Sequence, residues 1–183
     1  MEKAILHIKC QDQKGIVAAV SDFLFYNQGN ISEIDQYIDR ESEYFFMRVE
    51  WELENFKLAK EDIDLLEAAR KATATAFAPY SNFKVGAAAR LNTGLIILGS
   101  NQESASYPVG ICAERALLNS IGSQFSQATI ISLAVSYDAV GKASIEPLSP
   151  CGMCRQSILD FENRYQAPIR VILAGLEGEV MVF

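Results

Sequence analysis

Three of the four cysteines in this 183-residue chain lie in two short segments that each look like the start of a helix. One segment is Cys112-Ala113-Glu114, and the other follows Pro150 and holds the pair Cys151 and Cys154. The unpaired N–H groups and the positive dipole end of a helix N-terminus favour thiolate over thiol, and thiolates bind zinc. Three thiolates suit a tetrahedral ion and leave its fourth position open for water. The sequence therefore predicts a hydrolytic site with one Zn²⁺ per chain.

Glu114 lies two residues after the first of these cysteines. Zinc lowers the pKa of a bound water from about 15.7 to about 7, so a hydroxide nucleophile is available near neutrality. A carboxylate beside that water can take up its proton and deliver it to a leaving group. We therefore predict that Glu114 is the catalytic acid and base, against the alternative of an ordinary solvated glutamate on a helix.

Two other interpretations of the cysteines are weaker. A redox pair has the same Cys-x-x-Cys form, but no thioredoxin-like context surrounds this one. A structural zinc site normally has four protein ligands, whereas this chain offers three clustered cysteines and no nearby histidine. His7 is the only histidine, and it falls with Cys10 in the first predicted strand. Both are predicted to be structural.

Composition narrows the possible partners. The net charge is −7 and the pI about 4.8, which argues against duplex nucleic acid and leaves a small neutral substrate open. No apolar run is long enough to cross a membrane, and the N-terminus lacks the pattern of a signal peptide. In a reducing compartment, a closely spaced cysteine pair indicates metal or redox chemistry more often than a disulfide. We therefore expect a cytoplasmic protein.

In the first 56 residues, the spacing of the apolar residues changes between the pattern of a strand and that of a helix. The pattern predicts the order βαββ, with a left-handed helix cap at Gly29 and these elements: strand Lys3–Cys10, a helix from Ile16 to Leu24, and strands Ile31–Asp39 and Met47–Leu53.

Helical and strand patterns alternate over the rest of the chain, which predicts an α/β sheet covered on both faces. The predicted helices run to Ala78, from Cys112 to Ile121 and from Cys151 to Phe161, and the predicted strands are Lys84–Leu91, Leu95–Gly99, Thr129–Ser136, Ile169–Ala174 and Glu179–Phe183.

Residues from about 60 to 183 resemble the small three-cysteine branch of the zinc-dependent cytidine deaminases. Four motifs carry the resemblance: Ala78–Ala88, Asn101-x-Glu103 followed by Ser104–Tyr107, Cys112–Arg115, and Ser149–Gln156. The second pair contains one form of the zinc deaminase signature, with Cys where other members have His. The resemblance implies a three-layer α/β/α domain with a mixed sheet. It also implies hydrolytic deamination of cytidine or deoxycytidine at C4, with release of ammonia, in pyrimidine salvage.

The same resemblance assigns roles beyond the metal ligands. It implies substrate contacts at Phe83, Asn101, Glu103 and Ala113, with Phe83 packed near the base and the Asn–Glu pair holding a ribose hydroxyl. It implies that Arg115 hydrogen-bonds a ligand sulfur and so offsets the negative charge of three thiolates. Without the resemblance, Phe83 is also typical of a core aromatic, Asn101 and Glu103 of a polar loop, and Arg115 of a surface ion pair.

Assembly is also an expectation from the resemblance. Members of this branch usually form tetramers, and their chains continue into a segment that supplies a phenylalanine to a neighbouring subunit's site. This chain ends at Phe183. We expect a homo-oligomer, a tetramer or a dimer, whose deaminase-like domain of residues 57–183 lacks the usual C-terminal tail.

Residues 1–56 resemble the first half of an ACT domain, and most closely the ACT segment of formyltetrahydrofolate deformylases. The segments Asp12–Val17, Gly29–Ile31 and Phe45–Arg48 carry this likeness, although Gln11 stands where the family commonly has proline. The following helix could complete the ACT fold or open the deaminase domain. The motif Ala78–Ala88 is the more specific, so we assign that helix to the deaminase domain and residues 1–56 to a partial ACT-like module.

Two alternative functions stay open on the sequence. The same site could deaminate another aminopyrimidine or a nucleoside analogue. The chain could also be a non-catalytic module in which the ACT-like part senses a small molecule and the zinc is structural.

Overall fold

The computed structural model describes residues 3–56 and 58–183, and the chain divides into two compact units, Met1–Ala59 and Lys60–Phe183. The expected boundary after residue 56 lies close to this division. Among the described residues, no helix is both long and apolar enough to cross a membrane.

The first unit is a three-stranded antiparallel sheet with one helix. Its elements are β1 (Lys3–Gln11), α1 (Ile16–Tyr26), β2 (Asn30–Asp39) and β3 (Tyr44–Glu52). The strand order is β1-β3-β2, so the last strand lies between the first two. Side chains alternate along β3, so every second residue is buried on the same face. There Phe45, Met47, Val49 and Trp51 pack with Leu24 of α1.

The end of α1 differs from the expectation. The residue with left-handed backbone is Gln28, with φ of 61°, whereas Gly29 has no positive φ. A Cβ on Gly29 would lie 3.1 Å from the Phe56 ring and 3.2 Å from the carbonyl oxygen of Leu24. The glycine is therefore required for close packing and not for a left-handed cap.

The second unit is a five-stranded sheet with three helices. Its sheet has the order β5-β4-β6-β7-β8, in which only the β6–β7 pair is parallel. The expected mixed sheet is thus confirmed. The elements are α2 (Lys60–Ala72), β4 (Phe83–Leu91), β5 (Ile96–Ser100), α3 (Ala113–Gln124), β6 (Ile130–Ala139), α4 (Gly152–Tyr165), β7 (Arg170–Ala174) and β8 (Val180–Val182).

Helices cover both faces of this sheet, as expected. On one face, Ala87 and Val135 of the sheet pack in a common core with Leu117 of α3 and Ile158 of α4. Side chains alternate along a strand, so Gly86 faces the other way, where its Cβ would come within 2.1 Å of the Ala69 carbonyl oxygen of α2. The three-layer α/β/α arrangement is confirmed.

Helix α2 ends at Ala72 and not near Ala78, and a single 3₁₀ turn, Thr73–Thr75, follows it. The hydroxyls of Thr73 and Thr75 each donate to a backbone carbonyl three residues earlier, at 2.7 and 2.9 Å. Such local bonds compete with the α-helical ladder and tighten the chain into a 3₁₀ turn.

Gly99 of β5 sets how closely α3 approaches the sheet. A Cβ at this position would lie 2.6 Å from the carbonyl oxygen of Ala113 and 2.7 Å from Cβ of Leu117. Only a residue without a side chain allows the first turn of α3 to lie this close to the strand. That first turn carries Glu114 and follows directly on Cys112.

We predict that Gly99→Ala destabilises the chain by at least about 1–3 kcal/mol, the usual cost of overpacking, because the clash is with backbone and cannot be relieved by a rotamer change. Urea unfolding measures it. Gly152→Ala is the matched control, since a Cβ there meets nothing within 4 Å. Equal unfolding midpoints for the two variants would contradict the packing role.

Candidate metal centre and active site

The structure brings Cys112, Cys151 and Cys154 together, with all three Sγ atoms within 4.8 Å of one another. The Sγ atoms of Cys112 and Cys151 are 3.9 Å apart, and those of Cys151 and Cys154 are 3.4 Å apart. Tetrahedral zinc with Zn–S bonds of about 2.3 Å requires sulfurs about 3.8 Å apart. The spacing fits one zinc ion, and all three cysteines are free thiols, so no disulfide competes.

Two helix N-termini present the sulfurs. Cys112 is the N-cap of α3 and Cys151 the N-cap of α4, and both have extended backbone. Each cap carbonyl accepts the first helical bond, from Ala116 and Arg155, at 2.9 Å. The sulfurs therefore lie at the positive ends of two helix dipoles. Cys154 is one turn into α4 and buried, whereas Cys151 is exposed, so the cluster is open to solvent on one side.

The environment of these thiols opposes a triple negative charge. Burial raises the pKa of Cys112, and burial together with the neighbouring Glu114 carboxylate raises that of Cys154. The pKa of Cys151 is lowered. Partial burial opposes ionisation of this thiol, but hydrogen bonds from the Cys154 backbone and from the other two thiols outweigh that effect on the pKa. A bound divalent cation would offset the cost of ionising these thiols, because a thiol that coordinates a metal is deprotonated outright. The three sulfurs therefore form a set of donors that is suited to binding a divalent metal ion.

Glu114 lies in the first turn of α3 and is only 5% exposed. Burial raises the pKa of this carboxyl, while hydrogen bonds from its own backbone N–H and from Cys154 lower it in part. A carboxyl held in one place beside the candidate metal cluster can both accept and return a proton. Within the described residues, the candidate metal cluster comprises the three cysteines alone, which leaves this carboxylate free for proton transfer.

Arg115 does not make the contact expected of it. Its Nη1 lies 4.0 Å from Sδ of Met153, and in the described part of the chain it makes no hydrogen bond to a ligand sulfur. The guanidinium is nevertheless beside the Cys-x-x-Cys segment, since Met153 lies within it. Its role toward the ligand sulfurs stays a prediction.

The segment Asn101–Glu103 joins the parts of the site through its backbone. On one side, Phe77 N–H donates to Asn101 O at 3.0 Å and Glu103 N–H donates to Phe77 O at 2.8 Å. On the other side, Gln102 and Ile111 exchange both backbone hydrogen bonds at 3.0 Å. Ile111 directly precedes the first metal ligand. This segment therefore connects the loop after α2 to the start of α3.

The Asn101 side chain bonds to the backbone of β4. Its Nδ2 donates to Phe83 O at 2.9 Å, and its Oδ1 accepts from Val85 N–H at 2.8 Å. The Phe83 ring stacks on Tyr137, with centroids 5.0 Å apart and planes 14° apart. The amide of Asn101 thus holds the start of β4, which carries the aromatic predicted to meet the base.

The Glu103 side chain accepts hydrogen bonds from the loop before β4. One carboxylate oxygen accepts from the backbone N–H groups of Tyr80 and Ser81 at 2.9 and 3.3 Å, and the other accepts from the Ser81 hydroxyl. The Ser81 hydroxyl and these N–H donors lower the pKa of Glu103. The carboxylate therefore stays ionised as an acceptor.

Ala113 differs from the other predicted contacts because its methyl group is fully buried in the core. Only its backbone N–H, among the unpaired donors of the first helical turn, could meet a substrate. Sequence reasoning singled out neither Gly99 nor Ser81. The signal for Ser81 was its position two residues before Phe83, where a serine hydroxyl can bond the backbone locally.

Comparisons with known proteins agree with this site. A family model described as the cytidine and deoxycytidylate deaminase zinc-binding region matches residues 59–166. A cytidine deaminase of Halalkalibacterium halodurans is 35% identical over 116 residues, which cover 63% of this chain and 81% of that protein. The crystal structure of a cytidine deaminase from Burkholderia pseudomallei superposes with a TM-score of 0.57 at 35% identity, covering 69% of this chain and 92% of that one.

A different protein matches a shorter stretch of the chain. A formyltetrahydrofolate deformylase of Synechocystis sp. is 47% identical over 60 residues, which are 33% of this chain and 21% of that protein. This likeness gives weak support to the resemblance predicted for the N-terminal part.

We predict that the purified chain carries one zinc ion, measured by atomic emission, and that Cys154→Ser loses it because two sulfurs and a weakly bound hydroxyl no longer complete the site. Cys10→Ser is the matched control, since Cys10 belongs to the other unit. Full zinc content in Cys154→Ser, or its loss in Cys10→Ser, would exclude the three-sulfur site.

Proposed function

Since the chain belongs to the family of cytidine and deoxycytidylate deaminases, we propose that it hydrolyses the amino group at C4 of cytidine or deoxycytidine. The products are uridine or deoxyuridine and ammonia, which places the chain in pyrimidine salvage. The observation that carries the proposal is the three-sulfur cluster beside a buried carboxylate, Glu114.

Cys112, Cys151 and Cys154 would hold the zinc ion through their Sγ atoms. When bound, zinc supplies a Lewis acid that makes a water nucleophilic near neutral pH. Cys151 is exposed, so this side of the cluster can be reached from solvent.

Glu114 moves the protons in this proposal. Its carboxylate takes a proton from the attacking water, delivers it to the N3 ring nitrogen, and passes the second water proton to the amino group, which leaves as ammonia. Burial suits this role, because the raised pKa of the carboxyl brings it closer to that of its proton donors and acceptors.

The remaining predicted contacts orient the nucleoside. Phe83 offers a ring for the base, held in place by stacking on Tyr137. Asn101 and Glu103 would contact the sugar, and Glu103 keeps an acceptor position on its carboxylate for a hydroxyl, since a carboxylate has about four such positions. The N–H of Ala113 is a donor at the start of α3. Arg115 would offset the charge of the thiolates from beside Met153.

We predict that Glu114→Gln lowers kcat for cytidine by about 10²–10⁴-fold, the usual contribution of a positioned acid and base, while zinc content is kept. Loss of absorbance as cytidine becomes uridine measures the rate. Glu179→Gln, an exposed glutamate of the same unit, is the matched control. A wild-type rate in Glu114→Gln would refute the mechanism.

Substrate choice within this chemistry is tested on the same preparation. If cytidine and deoxycytidine are poor substrates while another aminopyrimidine or a nucleoside analogue is turned over, the site is the same but the alternative substrate class is correct. Relative kcat/KM values across such a panel separate the two.

The first unit is proposed to be the first half of an ACT fold. The β1-β3-β2 order and the deformylase match support this. A sensing role would appear as heat in calorimetric titrations with amino acids. A cytoplasmic location is also proposed, in keeping with four free thiols.

Assembly into a homo-oligomer, a tetramer or a dimer, completes the proposal. It is supported by the apolar side chains of the short 3₁₀ turn Tyr107–Val109 in the second unit, where Tyr107 is 92% exposed and Val109 70% exposed. Apolar groups exposed together are typical of an interface between proteins.

Sedimentation equilibrium is expected to give a mass two or four times the 20.2 kDa of one chain. Replacing both Tyr107 and Val109 by Ser removes apolar area from that turn and is expected to lower the mass. Val140→Ser, at a turn residue that is 52% exposed, is the matched control. A monomer in the unmodified protein would exclude assembly.

A further inference from the structure

The Ser81 hydroxyl connects two residues that the proposed function assigns to the substrate. Its Oγ donates to Oε1 of Glu103 and accepts from the backbone N–H of Phe83 at 3.0 Å. One hydroxyl therefore links the carboxylate predicted to hold the sugar with the residue predicted to meet the base. Neither bond is available to a residue without a hydroxyl.

The loop between these residues has a conformation that needs such support. Asn82 has left-handed backbone, with φ of 54°, and its N–H donates to Ala78 O at 3.0 Å. Asparagine tolerates this region better than most residues, but the conformation still carries some strain. The Ser81 bonds bracket the strained residue, because they fix the chain immediately before and after it.

The Glu103 carboxylate has its bonds divided unevenly. Oε2 accepts two backbone N–H groups, from Tyr80 and Ser81, while from the described residues Oε1 accepts only the Ser81 hydroxyl. Oε1 is therefore the oxygen with an acceptor position left for a ligand. The hydroxyl of Ser81 determines the direction in which that position points.

We propose that Ser81 is a positioning residue, which aims the free acceptor of Glu103 at a sugar hydroxyl, while Phe83 keeps its place through Asn101 and Tyr137. This inference rests on the proposed function. It assigns no contact between Ser81 and the substrate. Its effect is on how strongly the sugar hydroxyls contribute to binding.

Calorimetric binding separates this role from a general structural one. Cytidine and an analogue lacking the 2′ and 3′ hydroxyls are titrated into Glu114→Gln chains, which cannot turn over, with and without Ser81→Ala. Hydrogen bonds to charged groups contribute enough that we expect Ser81→Ala to weaken cytidine binding about tenfold. Binding of the dideoxy analogue is expected to stay unchanged. In chains with Glu114 intact, KM for cytidine rises by a similar factor while kcat stays within about twofold.

Two further variants control the interpretation. Ser81→Thr keeps the hydroxyl and is expected to restore cytidine binding. Ser42→Ala breaks a serine–carboxylate bond of the same length, to Asp39 in the other unit, and is expected to change neither affinity.

Equal weakening for both nucleosides in Ser81→Ala, or no weakening for cytidine, overturns the positioning role. Absence of cytidine turnover by the unmodified protein overturns the proposed function instead. A loss of cytidine binding that depends on the sugar hydroxyls supports the positioning role even in that case. A chain that binds neither nucleoside contradicts both.

Discussion

The convergence of three sulfurs beside a buried carboxylate is the constraint on which the candidate site of the second unit depends. The Sγ atoms of two helix N-termini converge within 4.8 Å, with a buried carboxylate beside them. Burial raises the pKa of the Cys112 and Cys154 thiols, and the Glu114 carboxylate adds to the rise at Cys154, so ionisation of these thiols is disfavoured without a cation. A divalent ion would attract the thiolates of both helices. Metal binding and the packing of α3 against α4 would therefore stabilise each other.

The approach of α3 to the sheet sets the position of that convergence. Gly99 allows the first turn of the helix to lie against β5, and Gly86 allows α2 to lie equally close on the opposite face. Close-packed backbone has few ways to relax, so small residues at these two points fix the helix positions within narrow limits. The metal ligands need such precision, because a tetrahedral site tolerates only small errors in sulfur position.

The chain segment Asn101–Glu103 holds several parts of the second unit together through hydrogen bonds. Its backbone pairs with Phe77 on one side and Ile111 on the other, while its side chains hold β4 and the loop before it. The loop that presents Phe83 and the helix that presents Glu114 are consequently connected through three residues. This connection explains how Phe83 and Glu114, which are distant in sequence, can keep a fixed geometry relative to each other.

Sequence alone identified the three cysteines that the structure brings together, the carboxylate that is buried beside them and the α/β class, because these follow from residue type and short-range spacing. It also gave most elements of the second unit. Tertiary structure decided what depends on packing between distant segments. The need for glycine at position 29 comes from the Phe56 ring, Arg115 lies by Met153, and the roles of Gly99 and Ser81 come from neighbours far along the chain or across a loop. The local pattern of residue types does not predict such contacts, because the partner residues come together only when the sheet and helices pack.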